Sequence, residues 1–200
     1  YRFNEFNSFG ISMDEAEPRF LESIEIMKKS WLNDERWSYE GKFWQFNDII
    51  VEPPCAQKPH PPLWLAAGNP ASIVTVANMG ANLLLDQFSP TKSVFERVKT
   101  FREAQQKNSS NRVNGEIALA RALYIAENEE DKMNAIEKRM KARARVDALS
   151  QRPDGKNKAS IMIHKGADEA LLGALIGTVD EIVERLHQLK EGGISYILLV

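Results

Sequence analysis

The segment Leu63–Gly80, LWLAAGNPASIVTVANMG, decides the fold. Leu63 to Ala67 is short and apolar without alternation, the pattern of a strand buried on both faces of a parallel sheet. Gly68 breaks the run, Asn69 supplies an N-cap and Pro70 takes the first helical position. Ile73, Val76 and Ala77 then share one face of a helix that Gly80 closes. A loop that leads from the end of a strand into a helix N-terminus presents unpaired N–H groups and the positive end of the helix dipole. Such a junction receives anions. Gly68 lets the backbone approach closely, and the side chains of Asn69 and Ser72 can add hydrogen bonds. The competing reading makes Asn69 a plain helix cap with Ser72 in its first turn.

The same rhythm continues downstream. Ala81–Asp86 (ANLLLD) reads as a second buried strand, and Ser89-Pro90 opens a helix carrying Val94, Phe95, Val98 and Phe101. Ile117–Ala126 is a third strand, Glu129–Leu149 a charged helix, and the polar SQRPDGKNK a loop. Thr178–Glu181 is a capping box, its helix ends at Gly192-Gly193, and Ile194–Val200 is the last strand. Upstream, Ser12–Glu15 reads as another capping box, with Phe20, Ile24, Met27 and Trp31 on one core-facing stripe. Trp37–Val51 suggests a hairpin turning at Glu40-Gly41, and the prolines from Pro53 to Pro62 an extended connection. Because each link between the downstream strands carries a helix, those strands should be parallel in an α/β fold. A doubly wound sheet fits, and so does part of a (β/α)8 barrel, since a whole barrel takes about 250 residues.

Composition narrows the function. The chain has 200 residues, 43% hydrophobic and 27% charged, with a formal net charge of −2, which suits a folded protein and gives no basic surface for nucleic acid or anionic membrane. The single cysteine, Cys55, has no disulfide partner, and no Cys/His spacing suggests zinc or another metal, so a reducing, cytoplasmic setting is expected. No apolar run has the length of a membrane span and no signal pattern opens the chain. The first residue is Tyr1 rather than Met, as in a piece of a longer protein. Small-molecule chemistry remains.

Candidate polar residues are few. Asp86 and Gln87 end the second strand, on the rim where barrel enzymes place functional groups, although a solvated loop pair is an equal reading. Arg121 interrupts ALARALYIA and must meet a polar pocket or a carboxylate, a structural ion pair being the expectation. His60 lies among prolines, His187 on an exposed helix position, and His164 in the polar segment, each without an evident catalytic partner. The Glu127–Arg145 run reads as a solvated helix face.

YRFNEFNSFGI at Tyr1–Ile11, GKFWQFNDIIVEPPCAQKPHPPLWLAAGNPAS at Gly41–Ser72 and LIGTVDEIVERL at Leu175–Leu186, in this order, resemble the bacterial luciferase-like, flavin-dependent monooxygenases. The resemblance implies a partial TIM-type (β/α)8 barrel, roughly strands five to eight with their covering helices and a hairpin excursion. It treats residues 1–200 as one domain, the C-terminal portion of such a barrel, with the N-terminal strands missing. It implies reduced FMN as cofactor, with the deazaflavin F420 as the alternative in one branch. The activity implied is oxygenation of a small organic substrate by reduced flavin and molecular oxygen, with a flavin reductase as partner and a homo-oligomer as the assembly. An F420-dependent hydride transfer and a non-catalytic α/β binding domain are the alternative functions. Ala67, Gly68, Asn69 and Ser72 are implied to hold the flavin phosphate, and Tyr1 to meet the flavin. Since no His, Cys or paired carboxylate forms an acid/base set, the catalytic groups are expected in the N-terminal half.

Overall fold

In the computed structural model, which describes residues 3–108, 114–150 and 171–200, the chain divides at Pro62–Leu63 into two units. The first contains α1 (Phe3–Ser8), a 3-10 turn (Met13–Glu15), α2 (Ala16–Leu32) and the antiparallel strands β1 (Trp37–Glu40) and β2 (Gln45–Ile49). The hairpin expected from WSYEGKFWQF is present, with Tyr39 opposite Phe46 and Glu40 opposite Gln45. Its turn is held by the Glu22 carboxylate of α2, which accepts from the amides of Phe43 and Trp44 at 3.0 and 3.1 Å. Two expectations are corrected in this unit. Ser12 accepts from the Asp14 amide and caps the 3-10 turn rather than forming a capping box, because the Glu15 carboxylate turns to Arg19 instead. The α2 stripe is mostly open: Ile24 is buried, whereas Phe20 and Met27 stay 44% and 39% exposed.

The second unit is an α/β layer. Its strands β3 (Trp64–Ala66), β4 (Asn82–Leu85), β5 (Ile117–Arg121) and β8 (Tyr196–Leu199) form one parallel sheet in the order β3-β4-β5-β8. Between them run α3 (Pro70–Asn78), α4 (Thr91–Lys107), α5 (Glu129–Ser150) and α6 (Val179–Glu191). A second, two-stranded parallel pair joins β6 (Leu123–Ile125) to β7 (Leu175–Gly177). The expected third strand is therefore two: after Arg121 the chain leaves the main sheet, and the Ala122 carbonyl accepts from the Leu175 amide.

Local sequence accounts for the helices. Asn69 caps α3 with Pro70 at its first position, Ile73, Val76 and Ala77 are buried, and Gly80 ends the turn at a positive φ of 68°. Thr178 and Glu181 form the reciprocal capping box of α6. Gly177 is required there, because its φ is 155° and a Cβ would strike the Glu181 carboxylate as it reaches back to the Thr178 amide. Ser89, by contrast, does not start α4; Pro90 is its N-cap, and Ser89 is fully buried in a polar cluster.

The register assigns the two faces of the sheet. Leu65, Leu83, Leu85, Ile117, Leu119 and Arg121 lie on one face, where all are buried with Val94, Phe101 and Leu189 of the helices. The other face carries Trp64, Asn82, Ala118, Tyr196 and Leu198. Trp64 and Tyr196 belong to the outermost strands, which a flat sheet would hold about 14 Å apart, yet their rings meet edge to face at 5.6 Å. The sheet is concave on that side. Among the described residues it does not close on itself, and β3 is an edge strand with Trp64 and Ala66 exposed, not the doubly buried strand its apolar run suggests. Burial assigns stability to the helix-covered face. Leu119→Ala should cost about 2–5 kcal/mol, and Leu198→Ala on the concave face less than about 1 kcal/mol, measured as the shift of urea unfolding free energy.

Candidate functional site

Parallel strands put all their C-terminal ends on one rim, so the segments after β3, β4 and β5 lie along the same edge of the sheet. After β3, Ala67 makes the last ladder bond, its amide donating to the Leu84 carbonyl at 3.3 Å. The chain then turns through Gly68 and Asn69 into α3. The Asn69 side chain is committed: its Oδ1 accepts from the Ser72 amide and its Nδ2 donates to Ser72 Oγ, both at 2.9 Å. With its lone pair engaged, the Ser72 hydroxyl can direct its own proton outward. Among the described residues no protein acceptor takes the amides of Gly68, Asn69 or Ala71. The turn thus presents backbone donors at a positive helix end.

After β4 the rim is built from charge. Asp86 accepts at Oδ1 from the amides of Phe88 and Ser89, at 2.7 and 2.8 Å, an Asx turn that fixes the loop. Its other oxygen accepts from Ser89 Oγ at 2.8 Å and from Arg97 at 2.6 Å. Burial works against the Asp86 carboxylate, but the bonds from Phe88 and Ser89 together with the Arg97 charge outweigh it and hold its pKa below the ordinary value. Arg121 is 1% exposed, and it makes no salt bridge among the described residues; instead it donates to the carbonyls of Asp86, Ala120 and Ser89, at 3.1, 3.3 and 2.8 Å. The expected structural ion pair is therefore replaced by carbonyl contacts, because Arg97 occupies the carboxylate. Burial pushes the Arg121 guanidinium down to about 10, against the pull of Asp86 and helped by Arg139 and Arg97, so it is still charged at neutral pH.

The structure brings Ala67, Gly68, Asn69 and Ser72 into one turn. Tyr1 and His164 lie outside the described residues, as does most of SQRPDGKNK. His60 packs near Trp31 with ring centroids 5.9 Å apart and bonds the Pro61 carbonyl through Nδ1. His187 is exposed on α6. The α5 run is more than a solvated face: Lys132 reaches Glu181 at 2.9 Å, and Arg139 donates to the carbonyls of Gln87 and Gly173. Phe88, Arg97, Arg139 and Arg143 carry no pattern in the sequence that marks their placement; the spacing of Asp86 and Ser89, an Asx-turn signature, is the local signal nearest to it. Among the described residues there is no cluster of His, Cys, Asp or Glu that could hold a metal, and no helix long and apolar enough to cross a membrane.

The sequence profile of luciferase-like monooxygenases matches residues 1–196. The oxygenase component of a flavin-dependent trigonelline monooxygenase from Acinetobacter baylyi is 29% identical over 61% of this chain and 33% of its own length. An FMNH2-dependent dimethylsulfone monooxygenase from Pseudomonas putida is 26% identical over 97% of this chain and 56% of its own. The crystal structure of monooxygenase RslO1 from Streptomyces bottropensis superposes with a TM-score of 0.78 at 26% identity, covering 100% of this chain and 58% of that one. The chain thus spans between a third and somewhat over half of these relatives.

Asp86 makes rim stability depend on pH in a defined direction. A depressed folded pKa means that its contribution is present above the ordinary carboxylate pKa of about 4 and is lost as pH falls through the folded value. Asp86→Asn should destabilise the chain by about 2–3 kcal/mol at pH 7. The gap to the unsubstituted chain should narrow below about pH 4, as read from urea melts at pH 7 and pH 3.

Proposed function

The chain belongs to the luciferase-like monooxygenase family, and on that premise we propose that it is the strand-five-to-eight part of a flavin-dependent monooxygenase barrel. In this reading the concave face of the sheet is the barrel interior, and the whole protein uses reduced FMN and molecular oxygen to oxygenate a small organic substrate. In this reading it works in the cytoplasm as a homo-oligomer, supplied by a flavin reductase, with its catalytic groups on the N-terminal strands of the barrel.

The observation that carries the reading is the turn after β3. The open amides of Gly68, Asn69 and Ala71 and the Ser72 hydroxyl stand at the positive end of a nine-residue helix, a donor set that suits a phosphate. Asn69 is spent on capping, so it shapes the turn while Ser72 and the backbone do the binding. Reduced FMN supplies the electrons that activate oxygen, chemistry that no side chain of this chain provides. What the chain contributes is the phosphate grip, the orientation that follows from it, and a concave apolar wall of Trp64, Tyr196 and Leu198 that limits water.

Ser72→Asp tests this. It places a carboxylate against a dianion, a repulsion of about 1–3 kcal/mol in a partly exposed turn, and FMN should bind about ten- to a hundred-fold more weakly. Riboflavin, which lacks the phosphate, should bind as before, and the helix should hold because an acid in its first turn favours the dipole. Fluorescence titration of both flavins, with F420 as a third ligand, measures the difference. Equal weakening of FMN and riboflavin, or no weakening, would reduce the turn to a helix cap.

A further inference from the structure

The outward face of α5 carries apolar surface and sorted charge that the rim does not use. Met133 and Met140, seven residues apart and so on one side of the helix, are 58% and 38% exposed. Ile136, on the opposite side, is buried with Ala174 and Ile176. Ala144 extends the exposed stripe toward the C-terminal end of the helix. Methionine is pliable apolar surface, of a kind that proteins use at contacts with other chains.

The charge on this face is divided along the axis. Glu129, Glu130 and Glu137 stand in the N-terminal part and Lys141 and Arg145 in the C-terminal part, all exposed. Glu129 reaches Lys132 at 3.5 Å, and Glu137 pairs with Lys141 at 2.6 Å. Glu130 and Arg145 enter no ion pair among the described residues. They lie on the same flank of the methionine stripe but about 22 Å apart along the axis, at ~1.5 Å per residue, and cannot meet within one chain.

A helix that is acidic toward one end and basic toward the other complements a copy of itself only when the copy is reversed. Laid parallel, two copies would oppose like charges. Laid antiparallel, they oppose Glu130 to Arg145 twice, once on each side of the two-fold axis. With that axis between Glu137 and Lys138, Met133 of one copy falls within about 3 Å of level with Met140 of the other.

We propose that α5 is the docking helix of a homodimer, its exposed face covered by the same face of a second copy laid antiparallel. The methionine stripe forms the centre of the contact, and the two Glu130–Arg145 pairs set its direction. Exposed ion pairs add little affinity each, so the dimer is dependent on concentration and on salt. The inference does not rest on the flavin reading.

Sedimentation equilibrium of the full chain, without flavin, at about 0.05 and about 0.5 M salt tests this. The dimer should form at low salt and weaken at high salt. Arg145→Glu and Glu130→Arg should each weaken it about tenfold or more, since each sets like charges against one another twice. Met133→Ser with Met140→Ser should weaken it as well, without a change of charge. The chain carrying both Glu130→Arg and Arg145→Glu should recover the dimer at unchanged net charge, because the exchange re-forms both pairs between copies. All four positions are exposed, so circular dichroism should show the helix retained. Should Glu130→Arg lose helix at its N-terminal position, Arg145→Glu and the serine variant carry the test. A monomer at about 100 µM and low salt, an association that Arg145→Glu leaves unchanged, or a folded charge exchange that stays monomeric would each overturn the proposal. The readout is mass, so its failure leaves the Ser72→Asp titration untouched.

Discussion

One buried guanidinium organises the rim of the parallel sheet. Arg121 sits at the end of β5 where an apolar side chain would be the ordinary choice, and a buried cation is tolerated only where acceptors surround it. Those acceptors are the carbonyls of Asp86 and Ser89, the two ends of the loop that leaves β4. Holding both ends fixes the loop, and the fixed loop aims Asp86 at Arg97 of α4 while it turns Gln87 and Phe88 toward α5. The Asx turn, the Asp86–Arg97 pair and the approach of Arg139 and Arg143 to Phe88 all follow from that placement.

The rim divides its donors by kind. After β3 they are backbone amides at a helix N-terminus, suited to a compact phosphate that accepts from several directions. After β4 and along α5 they are guanidinium groups, those of Arg139 and Arg143 lying 5.8 and 5.5 Å from the centroid of the Phe88 ring. The turn after β3 and the loop after β4 both stand at the C-terminal ends of parallel strands, where the sheet leaves amides and side chains without further ladder partners. The helix-covered face supplies the rigidity: Leu83, Ile117 and Leu119 are fully buried and leave no slack beneath the rim.

Legibility in the sequence followed the range of the interaction. The Asn69 cap, the Pro70 start, the buried triad of Ile73, Val76 and Ala77, and the Thr178–Glu181 capping box were all readable, since each is settled within about one helical turn. The residues of the turn after β3, which we propose holds the flavin phosphate, are contiguous and local for the same reason. Their availability is not: that Asn69 spends its side chain on Ser72 while the Gly68 amide remains open is a matter of geometry. LWLAA reads as a doubly buried strand yet buries only Leu65 of Trp64–Ala66, because an apolar run does not say which of its faces will be covered. Arg121 was recognised as needing a partner, but the partner is backbone, which sequence does not mark.

By itself, then, the sequence determined the local elements, the parallel order implied by helices between strands, and the family to which the order of motifs points. Tertiary structure alone decided that the Ile117–Ala126 run divides between two sheets, that Trp64 meets Tyr196 across a concave face, and that Arg139 and Arg143 close over Phe88. The physical reason is separation along the chain. Caps and periodicities are contacts between near neighbours, fixed by backbone geometry, whereas these pairings join distant segments and exist only after the sheet has set their register and curvature.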